Sequence, residues 1–410
     1  MHDFSGASSG EWLPIVTVLP FEAPSTINTL TPFFMRLLSC RCALAAVLVN
    51  GGFILISQAA EQQLPVVTQT SVTMRVMAAN ITTGNNQRYE GPGLRIFQGL
   101  KPDVVAVQEF NYASTNGLGI NTPAALREMI DGAFGTNFVF FRESGYSIPN
   151  GIISRWPILD SGSWDDVQVP DRGFAWALID LPGTNDLYLV SVHLHSSGGS
   201  SSRATEALNL KSLIQSNFPS NAWVMVAGDL NTDTRNEAAV TTFKTFLSDS
   251  PIPADNNGNP NTNLSRQRPY DYVLPGFSFA TNQTATVIGT QQFAGGLVFD
   301  SRVYSPTNEV APVLSTDSSA PNMQHMAVVK DFRVSYTVTN LVTVPAPRLE
   351  IVSANVIHWI GLSQLAYTVQ TNGSLTDWAA IGTATSSSSE FWFTNTAPVA
   401  ERGFFRVVYP

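Results

Sequence analysis

Val224-Met225-Val226-Ala227-Gly228-Asp229-Leu230-Asn231 is an apolar run that stops at a glycine and then presents a carboxylate and a carboxamide two residues apart. On a strand, residues i and i+2 point the same way, so Asp229 and Asn231 are expected on one face at the mouth of a sheet. A carboxylate beside a neutral amide suits a metal-bound phosphate, because both offer oxygen and only one adds negative charge. Standing alone, the same stretch reads equally as an Asp/Asn turn at a strand end. The rest of the chain has to decide.

Working outward, strand and helix patterns alternate irregularly from Met74 to about Phe332. Strands are expected at Met74–Asn80, Val104–Gln108, Asn137–Phe141, Gly151–Ser154, Phe174–Asp180, Leu187–His193, Trp223–Asp229, Tyr272–Leu274 and Met326–Phe332, mostly β-branched or aromatic runs ended by Asn, Gly, Pro or Asp. Helices are expected at Gly93–Leu100, Ala124–Phe134, Arg203–Ser216 and Glu237–Leu247, the third with Ala207, Leu210, Leu213 and Ile214 at helical spacing. Short helices among many strands predict an α/β (α+β) domain with sheets at its centre, over residues 73–335. Val344-Pro345-Ala346-Pro347 reads as part of a linker, 336–348. Beyond it, 349–410 holds almost only strand and turn signals, as in Tyr367–Gln370 and Glu390–Thr394, which predicts a small β-sandwich.

The bulk properties agree with two globular domains: 410 residues, 44% hydrophobic and 13% charged. A net charge of −9 argues against tight nonspecific binding to nucleic acid, though a metal site can hold one phosphate locally on an acidic protein. Residues 1–59 read as an extension and secretory signal. The signal covers about 35–59, with Arg36 and Arg41 at its basic start, an apolar stretch from Ala43 to Ile56, and Ser57-Gln58-Ala59 as a small-residue cleavage site. The stretch is too short and too interrupted by Asn50-Gly51-Gly52 for a membrane span. Both cysteines, Cys40 and Cys42, fall inside it, so the expected exported chain has no thiol. Its destination is the periplasm, the cell surface or the medium.

Polar groups stand at the ends of six separate strands. Asn80 ends the first; Gln108-Glu109 follows Pro102–Val107; His193 ends Tyr188–Val192; then come Asp229 with Asn231, Asp271 within Tyr270-Asp271-Tyr272, and His325 opening the last. Taken singly, each has a plain reading as a turn residue, a surface acid or a hydrogen-bonded core histidine. His195, two residues past His193, is expected in the loop 196–202. Taken in order, with Asn150-Gly151-Ile152-Ile153-Ser154-Arg155 and Val192-His193-Leu194 between them, they resemble the endonuclease/exonuclease/phosphatase family, which includes DNase I-like enzymes.

The resemblance runs from about Met74 to Phe332. It implies a DNase I-like four-layer sandwich of two packed β-sheets flanked by helices, with the site at one end. It also implies Mg²⁺-dependent hydrolysis of a phosphodiester, with Mn²⁺ or Ca²⁺ as alternative ions and nucleic acid as the first substrate expectation. Carried over residue by residue, Glu109 is the principal metal ligand, helped by Asn80. Asp229 and Asn231 position water and a phosphate oxygen, and His193 donates to the phosphate. Asp271 supports His193 or the metal, His325 is the second catalytic histidine, and Arg172 and Asn150 border the phosphate. The proton of the water goes to Asp229 or to His325.

One departure stands out. The family's last motif reads Ser-Asp-His, with the Asp expected to hold the His, whereas this chain has Met323-Gln324-His325. Asp317 is the nearest candidate substitute. Hence two other readings stay open, namely a lipid-headgroup phosphodiesterase or phosphomonoesterase, and a weakened binding protein attached to a surface through its carboxy-terminal module. Arg266-Gln267-Arg268 is expected to lend positive charge to a substrate loop.

Overall fold

The structure, a computed structural model, describes residues 43–47, 54–56, 62–82, 89–112, 121–344, 349–353, 355–372, 377–396 and 403–408. Cys40, Cys42, the Pro345–Pro347 part of the linker and most of the loop 111–122 lie outside the described residues. Two compact units divide the chain, one of residues 65–341 and one of 1–64 with 342–410.

In chain order the elements begin with β1 (Ala43–Val47), β2 (Ile54–Ile56), β3 (Gln62–Ala79), α1 (Gly91–Leu100), β4 (Val104–Val107) and α2 (Pro123–Phe134). There follow β5 (Val139–Arg142), β6 (Gly151–Ser154), β7 (Ile158–Asp165), β8 (Gly173–Ile179), β9 (Leu187–His193), α3 (Gly199–Asn217) and β10 (Trp223–Asp229). Next are α4 (Ala238–Phe243), β11 (Asp271–Pro275), α5 (Phe277–Ala280) and the short strands β12 (Gln283–Thr284), β13 (Thr286–Ile288), β14 (Gln291–Phe293) and β15 (Leu297–Phe299). After β16 (Ala327–Val344) come β17 (Leu349–Ser353), β18 (Val356–Ile360), β19 (Tyr367–Asn372), β20 (Ala379–Ala384), β21 (Glu390–Thr394) and β22 (Gly403–Val408).

The larger unit is built on two sheets, ordered β11-β10-β9-β8-β7 and β12-β16-β3-β4-β6-β5, the latter with β15 also paired to β16. Alternation along the strands decides what each face meets. On β9, Leu187 and Leu189 belong to one core with Met225 and Ala227 of β10 and Val273 of β11. That core is shared with Met77 and Ala79 of β3, Val105 and Val107 of β4, and the inward residues of α1 and α2. The intervening positions, Val190, Val192, Val226, Tyr272 and Leu274, pack outward against Ala207, Leu210 and Ile214 of α3 and Val240 and Phe243 of α4. The layers are therefore helix, sheet, sheet, helix.

The inward column Leu187, Leu189, Ser191, His193 turns polar over its last two members, and its neighbour Met225, Ala227, Asp229 at its last. The parallel pairing of β9 with β10 sets Asp229 opposite His193, and the antiparallel pairing of β10 with β11 sets Asp229 opposite Asp271. One end of the inter-sheet core is thus polar because of where three strands stop.

Of the expected linker 336–348, residues 336–344 are strand, since β16 runs unbroken to Val344. The run Tyr336–Val344 is rich in Thr and Val, which suits a strand as well as a spacer. β3 likewise starts at Gln62, well before the strand start expected at Met74.

The smaller unit holds the sheets β2-β1-β22-β19-β20 and β17-β18-β21 around Trp359, Tyr367, Val369, Phe391 and Val407. β1 and β2 come from the segment expected to be a signal, with Ala43 opposite Val407. Among the described residues no helix is long and apolar enough to cross a membrane.

Candidate active site

Asp229 closes β10, and its Oδ2 is the meeting point of the site. Asn80 Nδ2 donates to it at 3.0 Å and Asn231 Nδ2 at 3.2 Å. His193 Nε2 lies 3.4 Å away and His325 Nε2 3.6 Å. The other oxygen, Oδ1, accepts the Asn231 backbone N–H at 2.8 Å. That short-range loop is closed by Asn231 itself, whose left-handed backbone (φ 50°) is one Asn tolerates. Gly228 just before it has φ 140°, and a Cβ there would strike the Val192 carbonyl and the Gln108 amide. The Gly of Gly228-Asp229 is thus required by close approach between strands.

The opposite sheet contributes Asn80 and Glu109. Their side chains meet, with Asn80 Nδ2 3.3 Å from Glu109 Oε1. Asn80 Nδ2 is also 3.3 Å from His325 Nε2. Asn80 Oδ1 is buried with no hydrogen-bond partner. Burial pushes the Glu109 carboxyl up from its ordinary range, against the pull of His325, the Asn80 amide and Arg172. A buried, unpartnered amide oxygen beside a half-desolvated carboxylate fits a hard divalent cation, which takes oxygen ligands. A second group, Asp229, Asp271 and His325, has ligand atoms all within 4.8 Å of one another. There the imidazole already bridges the carboxylates, so an ion would have to displace its proton. Asn80 and Glu109 are the better cation ligands.

His325 is oriented by Asp271, whose Oδ2 lies 3.1 Å from His325 Nδ1. The resemblance implied Asp271 as the support of His193 or of the metal, and left Asp317 as the candidate acid for His325. Asp271 supports His325 rather than His193, and Gln324 does not hold the ring at all: its side chain is exposed while its carbonyl accepts Leu264 N–H. Asp317 is no substitute either, because it is buried in an ion pair with Arg95. Both residues stand just before β16, where Gln324 is exposed while His325 is buried and bridged to Asn263. Burial alone would lower the His325 pKa; Asp271, Asp229 and Glu109 outweigh it and raise it to about 10. Asp229 moves up to about 7, chiefly through burial, with His325 pulling the other way.

Thr262 builds this pair from below. Its Oγ1 accepts the backbone N–H groups of Tyr270 and Asp271 at 2.9 and 2.8 Å, while its carbonyl accepts Met326 N–H at 2.7 Å. One residue thereby ties Asp271 to the segment that carries His325 into β16. Thr262 lies in an Asn-rich loop with no strand or helix pattern, and no signal in the sequence singles it out.

His193 is held neutral. Burial, then Arg172 and His325, push its pKa well below the ordinary value. Arg172 Nη1 lies 2.8 Å from His193 Nδ1 and 2.7 Å from Nε2, and Asp171 accepts from Arg172 Nε at 2.9 Å. Asn150 is buried and donates to the Gly173 carbonyl at 2.7 Å, next to Arg172, leaving its own Oδ1 unpartnered. His195 turns away, with Nδ1 3.0 Å from Ser202 Oγ. Arg266 and Arg268 are ion-paired, to Asp255 and Asp300 and to Asp233 respectively. They do not supply the free positive charge expected of that loop.

The structure therefore brings Asn80, Glu109, His193, Asp229, Asn231, Asp271 and His325 together, with Arg172 against His193 and Asn150 one step further out. Among solved structures, an endonuclease/exonuclease/phosphatase from Beutenbergia cavernae DSM 12333 is similar at 16% identity, over 82% of this chain and 95% of that one, with a TM-score of 0.43. A family protein from Leptotrichia buccalis C-1013-b matches at 16% identity over 63% and 99%, TM-score 0.42. TDP2 from C. elegans matches at 12% identity over 64% and 75%, TM-score 0.42. No curated protein matches the chain. The sequence profile of the Endonuclease/Exonuclease/phosphatase family matches residues 91–298, which include Glu109, Asn150, Arg172, His193, Asp229, Asn231 and Asp271. That match spans just over half of the chain, so the protein belongs to the endonuclease/exonuclease/phosphatase family of phosphoester hydrolases.

Proposed function

We propose that the chain is a metal-dependent phosphodiesterase, a DNase I-like nuclease in the first instance, exported by its amino-terminal segment. The observation that carries this reading is the convergence of Asn80, Asn231, His193 and His325 on one carboxylate oxygen of Asp229. Such a set offers several donors to an anionic phosphate and a single acceptor to its nucleophile. Asn80 and Glu109 would hold a divalent cation, Mg²⁺ by preference, which would offset the negative charge that makes phosphodiesters resist attack.

The remaining steps belong to the chain. Asp229, held by Asn231, accepts the proton of the attacking water. His325, kept protonated and aimed by Asp271, donates to a phosphate oxygen as negative charge builds there. His193 stays neutral, steadied by Arg172, and directs a ring N–H to the same crowded oxygens. Export is supported by the basic start, apolar stretch and small residues of the segment 35–59. With Asp271 in place, the exposed Gln324 gives no ground for a disarmed site.

Replacing Asp229 by Ala tests the assignment. Turnover of bis-p-nitrophenyl phosphate in Mg²⁺ is expected to fall by roughly 10²–10⁴-fold, the usual contribution of a positioned base, with the circular dichroism spectrum unchanged. Native-level turnover in Asp229→Ala would sink it.

A further inference from the structure

Neither proposed cation ligand is held by a strand's own ladder, and one sits in a strained backbone. Asn80 is the first residue past the end of β3, and Glu109 has φ 51°, left-handed for a residue that pays for it in strain. Such a conformation persists only where its surroundings over-determine it. The groups that do so here are identifiable. Phe110 N–H donates to the Pro149 carbonyl at 2.8 Å and Asn111 N–H to the Glu109 carbonyl at 2.7 Å. On the other side of Glu109 stands a phenol.

Tyr89 is buried, 1% exposed. Its hydroxyl lies 2.7 Å from the Ala79 carbonyl and also contacts the Gln108 carbonyl. These are the carbonyls of the peptide groups that lead into Asn80 and Glu109. The same Ala79 oxygen accepts Gln108 N–H at 3.2 Å, so both segments close on this one hydroxyl. The ring is fixed independently, 5.7 Å from Phe97 and edge-on to Phe110 at 6.3 Å, and Tyr89 N–H donates to the Asn111 carbonyl at 3.0 Å. Burial foremost, then Glu109 and Asp271, pushes its pKa well above the ordinary value, so the hydroxyl remains a donor at any working pH.

We infer that Tyr89 is a positioning residue for the cation site: its hydroxyl clamps the two backbone segments that present Asn80 and Glu109 to the metal. The inference rests on the cation reading above and adds to it a residue that touches neither cation nor substrate. Pre-organisation of this kind tunes affinity through ligand placement, as outer partners of metal ligands do. Without the hydroxyl, Glu109 is freer to leave its left-handed backbone and the two oxygens diverge.

Calorimetric titration of Mg²⁺ into the full chain, with no substrate present, tests it. Tyr89→Phe keeps the ring and its aromatic neighbours and removes only the hydroxyl. Its Mg²⁺ affinity is expected to be about 10-fold weaker, within the 10–100-fold typical of outer-partner loss. Turnover should recover toward native as Mg²⁺ is raised to saturation. Phe97→Leu loosens the same ring cluster but spares the hydroxyl, so it should melt earlier and bind Mg²⁺ as the native chain does. Native binding matched within twofold by Tyr89→Phe overturns the inference and leaves the cation site standing. Equal weakening in both variants reduces Tyr89 to packing and overturns it too. No Mg²⁺ binding by the native chain overturns the cation reading, and this inference with it.

Discussion

Asp271 takes the place behind His325 that the family resemblance gives to an acidic neighbour. Its carboxylate faces His325 Nδ1 at 3.1 Å, while Gln324 next door points to solvent. Replacing Asp271 by Asn should therefore cost turnover heavily. In a protease triad, the same loss of charge behind a histidine lowers kcat by about 10⁴, and a fall of about 10³ or more is expected here. Gln324→Asp should change kcat less than threefold, since its side chain reaches nothing in the site. Steady-state kinetics on both variants check the pair; a large gain from Gln324→Asp would reverse the assignment. At this scale the residues that converge were legible, because each polar residue stands at or beside one end of an apolar strand, and strand ends are visible in a sequence. Their pairing was not legible. Which carboxylate meets which ring depends on the register of β10 with β11 and on Thr262 in an irregular loop, and neither leaves a local pattern.

Between element ends, α3 shows where local pattern fails and what holds instead. Periodicity placed its start at Arg203, yet it begins at Gly199. Its first turn, Gly199-Ser200-Ser201-Ser202, has no apolar residue to mark a buried face. The helix is anchored from inside by Glu206, whose carboxylate accepts the His195 backbone N–H at 2.9 Å and so ties α3 to the loop leaving His193. Burial, then the neighbouring carboxyl of Asp166, raises the Glu206 pKa to about 8. A carboxyl raised in the folded state keeps a proton that the unfolded chain has already lost. Stability is therefore full below the unfolded value, near pH 4.3–4.5, and declines as pH rises toward about 8. Thermal melts should show the native chain losing stability between about pH 5 and pH 8. Glu206→Gln, which cannot ionise, should show a clearly smaller loss; an identical slope would remove Glu206 as the cause. Other elements were missed for similar reasons. β7 alternates too loosely along Ile158–Asp165 to read as a strand, and it lies at the sheet edge with half its side chains exposed.

The whole molecule was legible in its layers and less so in its limits. Two sheets with inward apolar columns, helices outside and a polar end follow from strand alternation, and the larger unit has that plan. The limits blurred because β3 and β16 are both 18 residues long and run past the expected edges of the domain. A net charge of −9 leaves little general attraction for a polyanion. On the proposed function, the grip on a phosphodiester is local, made by a cation on Asn80 and Glu109 together with His193, His325 and Arg172. The measurement that tests this most directly is hydrolysis by the full native chain of DNA, RNA, bis-p-nitrophenyl phosphate and sphingomyelin, each in Mg²⁺ and in EDTA. Cleavage of a phosphodiester, DNA foremost, that vanishes in EDTA and returns with Mg²⁺ is the predicted result. No hydrolysis of any of the four in Mg²⁺, or hydrolysis indifferent to EDTA, would contradict the account.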